Sequence, residues 1–249
     1  MMNAHDILAK LEKDFSPYLQ QMKKEDIPFA EKGKEKLWFR IYRSKGGGDF
    51  PLKKAAFMVL DFGLVWNKDD KTKLDEDELV VGSFLTTDDL PLPILALEAS
   101  MHYDKYDHLN VDLFPVSRDP RYKETFCAPV QALHTKYKNL PDVAPGVITP
   151  NLPEGATSGG MLSGNFDIAY RDKTLAWWFA YVDLYKSFLD NRGSYPLLKD
   201  PAIIEEGKKI RAAFLGNFAK ASPNILADIP NLNTPERGIR LGELMFLDG

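Results

Sequence analysis

Two acidic residues inside apolar runs are the first candidates for chemistry in this sequence. Glu98 interrupts the run PILALEAS, and Asp112 interrupts the run HLNVDLF. A carboxyl group on an apolar wall has its charged form penalised, so its pKa rises and it becomes a usable proton donor near neutral pH. The other interpretation is an amphipathic sheet whose acidic face is wet. The pattern by itself leaves both interpretations open.

The strands around these acids determine whether the two carboxyl groups meet. In the first strand Ala96 and Glu98 share a face, because side chains alternate along a strand. In the second strand Asn110 and Asp112 share a face. A hairpin centred on Asp104 pairs Glu98 with Asn110, and it pairs Asp112 with Ala96. The sequence therefore predicts two neighbouring carboxylates on one wall of a sheet.

The usual catalytic and cofactor motifs do not occur in the sequence. No Gly-rich phosphate cradle follows a strand, no GxSxG elbow is present, and the four histidines lack HExxH-type spacing. A single cysteine, Cys127, excludes an internal disulfide and a thiolate metal cluster. No metal site is predicted. The remaining chemistry is that of carboxylates or of a bound ligand.

Composition excludes several classes of protein. The chain has 249 residues, of which 44% are hydrophobic and 27% charged, enough to bury a substantial core. Its 32 Lys and Arg against 36 Asp and Glu give a net charge of −4, which argues against nucleic acid as a partner. No run of about 18 apolar residues occurs, and the N-terminal region lacks the apolar segment of a signal peptide. The sequence therefore predicts a soluble, cytoplasmic protein with no membrane partner.

Short β-rich runs follow an amphipathic N-terminal pattern. Residues 4–25 are predicted to be helical, with Pro17 as an interruption. The runs after it have connections too short for crossover helices, which predicts an antiparallel meander. The last helix is signalled by Thr234 as N-cap and Pro235 at the first helical position. The predicted strands are 37–43, 55–65, 78–85, 93–100, 108–114 and 161–171. The other predicted helices are 119–138, 174–190 and 200–220.

This order of elements predicts the fold class. Strands come mostly before helices, and helices lie at both ends of the chain, so the prediction is an α+β fold. It is a three-layer α/β/α sandwich with a central antiparallel sheet and helices on both faces. The Pro/Gly-rich stretch 141–160 is a candidate boundary, but the single strand after it needs the sheet before it. Residues 1–249 are therefore predicted to form one domain.

Three segments in succession carry a resemblance to a known family. They are PILALE at 93–98, NVDLFPV at 110–116 and the helix start DPRYKETFCAPVQALHTKY at 119–137. Together they resemble the ferredoxin-dependent bilin reductases, which include the red chlorophyll catabolite reductases. Segments 15–22, 159–171 and 237–249 resemble the family more weakly. The antiparallel sheet between helical layers that the family implies is the fold already predicted from the pattern.

The resemblance implies an activity. It implies reduction of a linear tetrapyrrole, biliverdin or a related bilin, by sequential electron and proton transfers with a radical mechanism. Reduced ferredoxin is the implied electron donor and partner, and the implied protein itself binds no cofactor. Such a reaction needs an apolar slot for the bilin, cations for its two propionates and acids that deliver protons.

The resemblance also implies roles for individual residues. Glu98 aligns with the strand acid that protonates the substrate, a position where most members have Asp. Arg171 is the implied partner of a propionate, and Lys220 is a second candidate. The full implied site comprises the catalytic candidates Glu98, Asp112, His102 and Asp228 and the substrate-binding candidates Ser163, Arg171, Asn217, Lys220 and Ser222.

Two departures from the family keep a second function open. Some members carry a catalytic histidine on the strand before the acid, but here that strand reads VVGSFL at 80–85. Ser222 stands where many members have Asp, with Asp228 nearby, and His102 is the candidate that compensates for the missing histidine. The alternative function is a non-catalytic tetrapyrrole carrier or chaperone on the same fold.

Charge is distributed unevenly along the chain. Residues 23–54 contain ten Lys or Arg and five acidic residues, a local charge of +5. Because ferredoxins are acidic and charge steers docking, this stretch is a candidate docking face. The equally open interpretation is a solvated surface segment.

Overall fold

A seven-stranded antiparallel sheet forms the centre of the protein. The structure is a computed structural model that describes residues 2–45, 50–67, 70, 72–102, 106–138, 156–225, 229 and 234–246. The strands lie in the sheet in chain order, so each pairs with its sequence neighbours, as expected for a meander. They are β1 (Lys23–Lys32), β2 (Glu35–Arg43), β3 (Leu52–Trp66), β4 (Leu74–Thr86), β5 (Ile94–His102), β6 (Tyr106–Phe114) and β7 (Leu162–Asp167).

Helices cover both faces of this sheet. They are α1 (Ala4–Asp14), α2 (Ser16–Leu19), α3 (Pro120–Tyr122), α4 (Ala128–Lys138), α5 (Arg171–Asp190), α6 (Pro201–Ile225) and α7 (Pro235–Phe246), with a π-helical turn at Lys123–Cys127 between α3 and α4. On one face α1 and α5 enclose a core that contains Phe57, Phe84 and Trp178. On the other face α7 packs Leu241 and Leu244 against β3 and β4. The predicted α+β arrangement with helices on both faces of an antiparallel sheet is confirmed.

The edge strand β1 differs from the prediction. A helix was expected to continue to residue 25, but α1 ends at Asp14, and strand β1 begins at Lys23. Nearly all side chains of β1 are at least partly exposed, and Ala30 is the exception. Ile27 and Phe29 are partly buried against the core, but the residues before them, 23–26, are charged and exposed, so the first half of the strand carries no apolar alternation. The predicted helix 4–25 with its interruption near Pro17 is therefore confirmed for α1 and α2 and wrong from residue 20 onward.

The last strand is shorter than predicted, whereas the last helix begins where it was predicted to begin. β7 ends at Asp167, whereas a strand was expected to residue 171. The Asp167 side chain accepts a hydrogen bond from the backbone N–H of Ala169 and turns the chain into α5. The cap of α7 is confirmed, because Thr234 Oγ1 accepts from the backbone N–H of Arg237 at 3.3 Å. Single-domain organisation stays a prediction.

Candidate functional site

The candidate site is a polar half-face of the sheet. Side chains of β5 to β7 that point away from α5 form this surface, which we call the polar face. α7 covers β3 and β4 on the same side of the sheet and ends beside it, since Ser83 Oγ donates to Met245 O at 3.3 Å and Ser83 pairs with Ala96. The polar face consists of Ala96, Glu98, Ser100, His108, Asn110, Asp112, Ser163 and Asn165.

The predicted register of the two acidic strands is confirmed. Glu98 pairs with Asn110, and Asp112 pairs with Ala96. This pairing places both carboxyl groups on the same side of the sheet. The hairpin tip, residues 103–105, lies outside the described residues.

Glu98 belongs to a hydrogen-bonded chain across three strands. Asn110 Nδ2 lies 2.8 Å from Glu98 Oε2 and 2.7 Å from His108 Nε2. His108 Nδ1 lies 2.7 Å from Asn165 Oδ1 on β7. Glu98 and Asn110 are half-buried, whereas His108 is buried. A carboxyl group and an imidazole, the two side chains most used for proton transfer, are thus joined through one amide.

Trp178 holds the backbone beneath Glu98 from the opposite side of the sheet. Its indole Nε1–H donates to Glu98 O at 3.1 Å and to Asn110 O at 3.0 Å. The indole ring is fully buried in the core beneath α5. Because one donor is shared by both strands, α5 is tied to the sheet at the residue pair that carries the candidate acid.

Asp112 is enclosed rather than open to a ligand. Ser158 donates to it from the backbone N–H at 2.9 Å and from its hydroxyl, and the N–H of Leu113 donates at 2.8 Å. Burial raises the pKa of this carboxyl to about 6, although the hydrogen bonds from Ser158 oppose the shift. These contacts make Asp112 an anchor for the segment before β7. Its proton-donating role stays a prediction.

Arg171 does not lie where a propionate partner was expected. Its guanidinium donates to both oxygens of Asp107 and to His102 O, all within 2.8 Å. Asp107 points to the side of the sheet that α5 covers, opposite to Glu98. The buried Asp107 carboxylate needs a counter-charge, and the first residue of α5 supplies it. The substrate-binding role of Arg171 stays a prediction.

His102 is the last residue of β5. It is fully buried, and its Nε2 lies 3.7 Å from Asp77 Oδ2. Asp77 also accepts a hydrogen bond from Ser100 Oγ. His102 shares a face with Glu98 but lies four residues further along the strand, roughly 13 Å away. This separation places His102 at the margin of the polar face.

The other predicted site residues are dispersed. Ser163 pairs with Asn110 and therefore belongs to the polar face. Asn217 and Lys220 are exposed on α6. The Ser222 side chain and the whole of Asp228 lie outside the described residues. The roles of these residues stay predictions.

Sequence reasoning missed three residues of the polar face. His108, Asn110 and Asn165 form the hydrogen-bonded chain to Glu98, but none of them was a predicted site residue. A usable signal was present in β6, because His108, Asn110 and Asp112 alternate on one side of the strand. Asn165 offered no such signal, since the register of β7 is set by pairing with a distant strand.

Two further observations concern metal and membrane. Within the described ranges, no group of three or more His, Cys, Asp or Glu side chains is arranged to hold a metal ion. None of the described helices combines the length and apolar character needed to cross a membrane.

A protein of known structure shares this fold. No family profile and no curated protein matches the sequence. The crystal structure of phytochromobilin synthase from tomato, in complex with biliverdin, is similar to this chain with a TM-score of 0.61 and 11% sequence identity. The alignment covers 96% of this chain and 82% of the tomato protein. At this identity the similarity establishes the fold.

Proposed function

We propose that this protein binds a linear tetrapyrrole on the polar face beside α7 and reduces it with single electrons from a reduced ferredoxin. The fold supports this proposal, since it is similar to that of a phytochromobilin synthase whose structure contains biliverdin. The observation that carries it is the position of Glu98. This acid is half-buried, lies on the polar face and is hydrogen-bonded to Asn110.

Two residues of the polar face, with Trp178 behind it, have distinct parts in the proposed reaction. Two electrons from the iron–sulfur donor and two protons saturate one carbon–carbon double bond of the bilin. Glu98 donates a proton to the substrate, and a partly desolvated carboxyl group suits that task near neutral pH. Trp178 keeps the strand pair in place from the far side of the sheet. Ser163, which pairs with Asn110 on the polar face, is the proposed contact for polar groups of the bilin.

The β1 edge is the proposed docking surface for ferredoxin. β1 and β2 carry much of the basic stretch 23–54 at the exposed edge of the sheet. Part of its charge is paired locally, as Arg40 with Asp26 and Arg43 with Glu25. The net local charge remains positive, which favours an acidic partner.

A non-catalytic tetrapyrrole carrier is the second candidate. Val81 is the direct neighbour of Glu98 on β4, so no titratable group faces the acid from that strand. Members of the bilin reductase family with a histidine on this strand have a proton donor that this chain lacks there. A protein with one strand acid and no such histidine is suited to binding without reduction.

Binding and reduction are tested separately with the full-length protein. Biliverdin is titrated anaerobically and followed by absorbance, and then ferredoxin, ferredoxin reductase and NADPH are added. We expect Glu98→Gln to bind biliverdin as wild type does but to lose turnover by about 100-fold or more, the usual contribution of a general acid. The exposed Glu205→Gln on α6 is the matched control. Binding without reduction in wild type supports the carrier, and absence of binding contradicts both functions.

A further inference from the structure

A cleft that is separate from the polar face lies beside the carboxyl end of α5. Its volume is about 730 Å³, within the range typical of small-molecule sites. One wall consists of the residues just before β3 and the connection from β4 to β5. The other wall consists of the end of α5 and the 3₁₀ turns Arg192–Ser194 and Pro196–Lys199 that follow it. The residues of the polar face do not line this cleft.

Part of the lining of the cleft is apolar. Leu198 is 3% exposed and belongs to the core beneath α5. Phe50 and Leu90 are half-buried and pack against the same core. The Phe50 ring also lies beside Tyr18, with ring centroids 6.4 Å apart. Since these three side chains line the cleft, they present apolar surface to the body of a bound molecule.

Two cations at the cleft have no carboxylate partner. Arg192 is half-buried and Lys199 is exposed, and no carboxylate of the described residues lies within ion-pair distance of either. A hydrogen bond from Arg192 Nη1 to Leu189 O, at 3.1 Å, holds the guanidinium in place. A guanidinium carries five N–H donors in a planar fork. The fork therefore retains donors that suit the two oxygens of a carboxylate.

The two acidic side chains of the cleft are already engaged. Asp190 accepts a hydrogen bond from Tyr18 OH at 2.6 Å and forms an ion pair with Lys186. Asp89 pairs with Lys208 at 3.0 Å. The Asp89 side chain is 84% exposed, so solvent and salt screen its charge. The charges left to meet a ligand in the cleft are therefore both positive.

We propose that this cleft binds an amphipathic organic anion, a carboxylate with an apolar body. Arg192 and Lys199 bind the carboxylate, and the body packs on Phe50, Leu90 and Leu198. An uncharged molecule of the same shape makes the apolar contacts but lacks the charge-assisted hydrogen bonds, so the cleft selects for the anion. The inference goes beyond the proposed function and does not depend on it, because the cleft and the polar face share no residue.

The test is an NMR titration of the full-length protein, without bilin, with 2-naphthoate and with its uncharged analogue 2-naphthylmethanol. The methyl signals of Leu90 and Leu198 are assigned by their loss in Leu90→Met and Leu198→Met. We expect 2-naphthoate to shift these signals with a Kd of about 1 mM or tighter, a modest affinity for a ligand of this size. The alcohol should bind at least about tenfold more weakly. No shift at these methyl groups, or equal affinity of the two compounds, overturns the proposal.

Variants identify the cations that bind the anion. Arg192→Gln and Lys199→Gln are each expected to weaken 2-naphthoate binding by about fivefold or more, since each removes a charge-assisted contact. Lys209→Gln removes the same charge from an exposed position on α6 outside the cleft, and its affinity should equal that of wild type. Lys199 is exposed, so Lys199→Gln keeps the fold even if Arg192→Gln does not. Unchanged affinity in Lys199→Gln, or an equal loss in Lys209→Gln, overturns the proposal.

Discussion

Arg171 donates a hydrogen bond to each oxygen of the Asp107 carboxylate, at 2.7 and 2.6 Å, and both side chains are buried. The pair joins the first turn of α5 to β6 on the side of the sheet away from the polar face. Its position gives the Arg171 guanidinium a buried partner within the protein. From this pairing we derive a test that separates a structural role of Arg171 from a role in binding.

Replacement of Arg171 is expected to destabilise the protein. Arg171→Met leaves the Asp107 carboxylate buried without its partner, and loss of one member of a buried pair costs about 3–5 kcal/mol of the free energy of unfolding. Urea unfolding measures this loss, and the exposed Lys220→Met serves as a control with an expected change below about 0.5 kcal/mol. Weakened bilin binding by Arg171→Met at unchanged stability would contradict the assigned structural role.

Asp112 is expected to make stability depend on pH between about 4 and 6. Its pKa is raised to about 6 in the folded protein and is near 3.9 in an unfolded chain, so the folded state binds the proton more tightly. Stability from this group is therefore present at low pH and is lost as pH rises through about 6, by roughly 3 kcal/mol in total. Asp112→Asn cannot titrate. Urea unfolding at several pH values should show wild type gaining stability relative to Asp112→Asn as pH falls from 7 to 4, and a constant difference would refute this assignment.

A histidine at position 81 is expected to strengthen reduction. Val81 is paired directly with Glu98, so the imidazole of Val81→His would lie beside the acid, with Cβ atoms about 5 Å apart. A well-positioned proton donor raises the rate of a reaction by about 100-fold or more. For this added histidine we expect at least about a tenfold rise in turnover near pH 6.5. Val81→Gln, polar but not titratable, is the control. Equal turnover of wild type and both variants would show that proton supply from this strand does not limit the reaction.

Packing of α7, which borders the polar face, is expected to depend on its inward side alone. Leu244 is buried against β3 and β4, whereas Ile239 on the same helix is 60% exposed. Leu244→Ala should lower the free energy of unfolding by about 2–5 kcal/mol, as for other buried leucines. Ile239→Ala should lower it by less than about 1 kcal/mol. Thermal or urea unfolding of the two variants gives the comparison, and equal losses would mean that α7 packs differently.

The sequence by itself determined the strand pairing that presents the candidate acid. Alternation along two apolar strands and one short hairpin were enough to place Glu98 opposite Asn110, because both signals act within some twenty residues. The cap at Thr234 and Pro235 was equally local. The edge strand β1 was not predicted, because its first four residues, 23–26, are charged and exposed and carry no apolar period.

Only the tertiary structure decided which polar groups meet. Arg171 is paired with Asp107 because α5 returns across β6, a contact between residues 64 positions apart. Asn165 reaches His108 because β7 adds to β6 after a long excursion of the chain. Local patterns report which face of its own element a side chain occupies. The neighbours that set its charge and hydrogen bonds come from distant segments, and packing of the whole sheet brings them together.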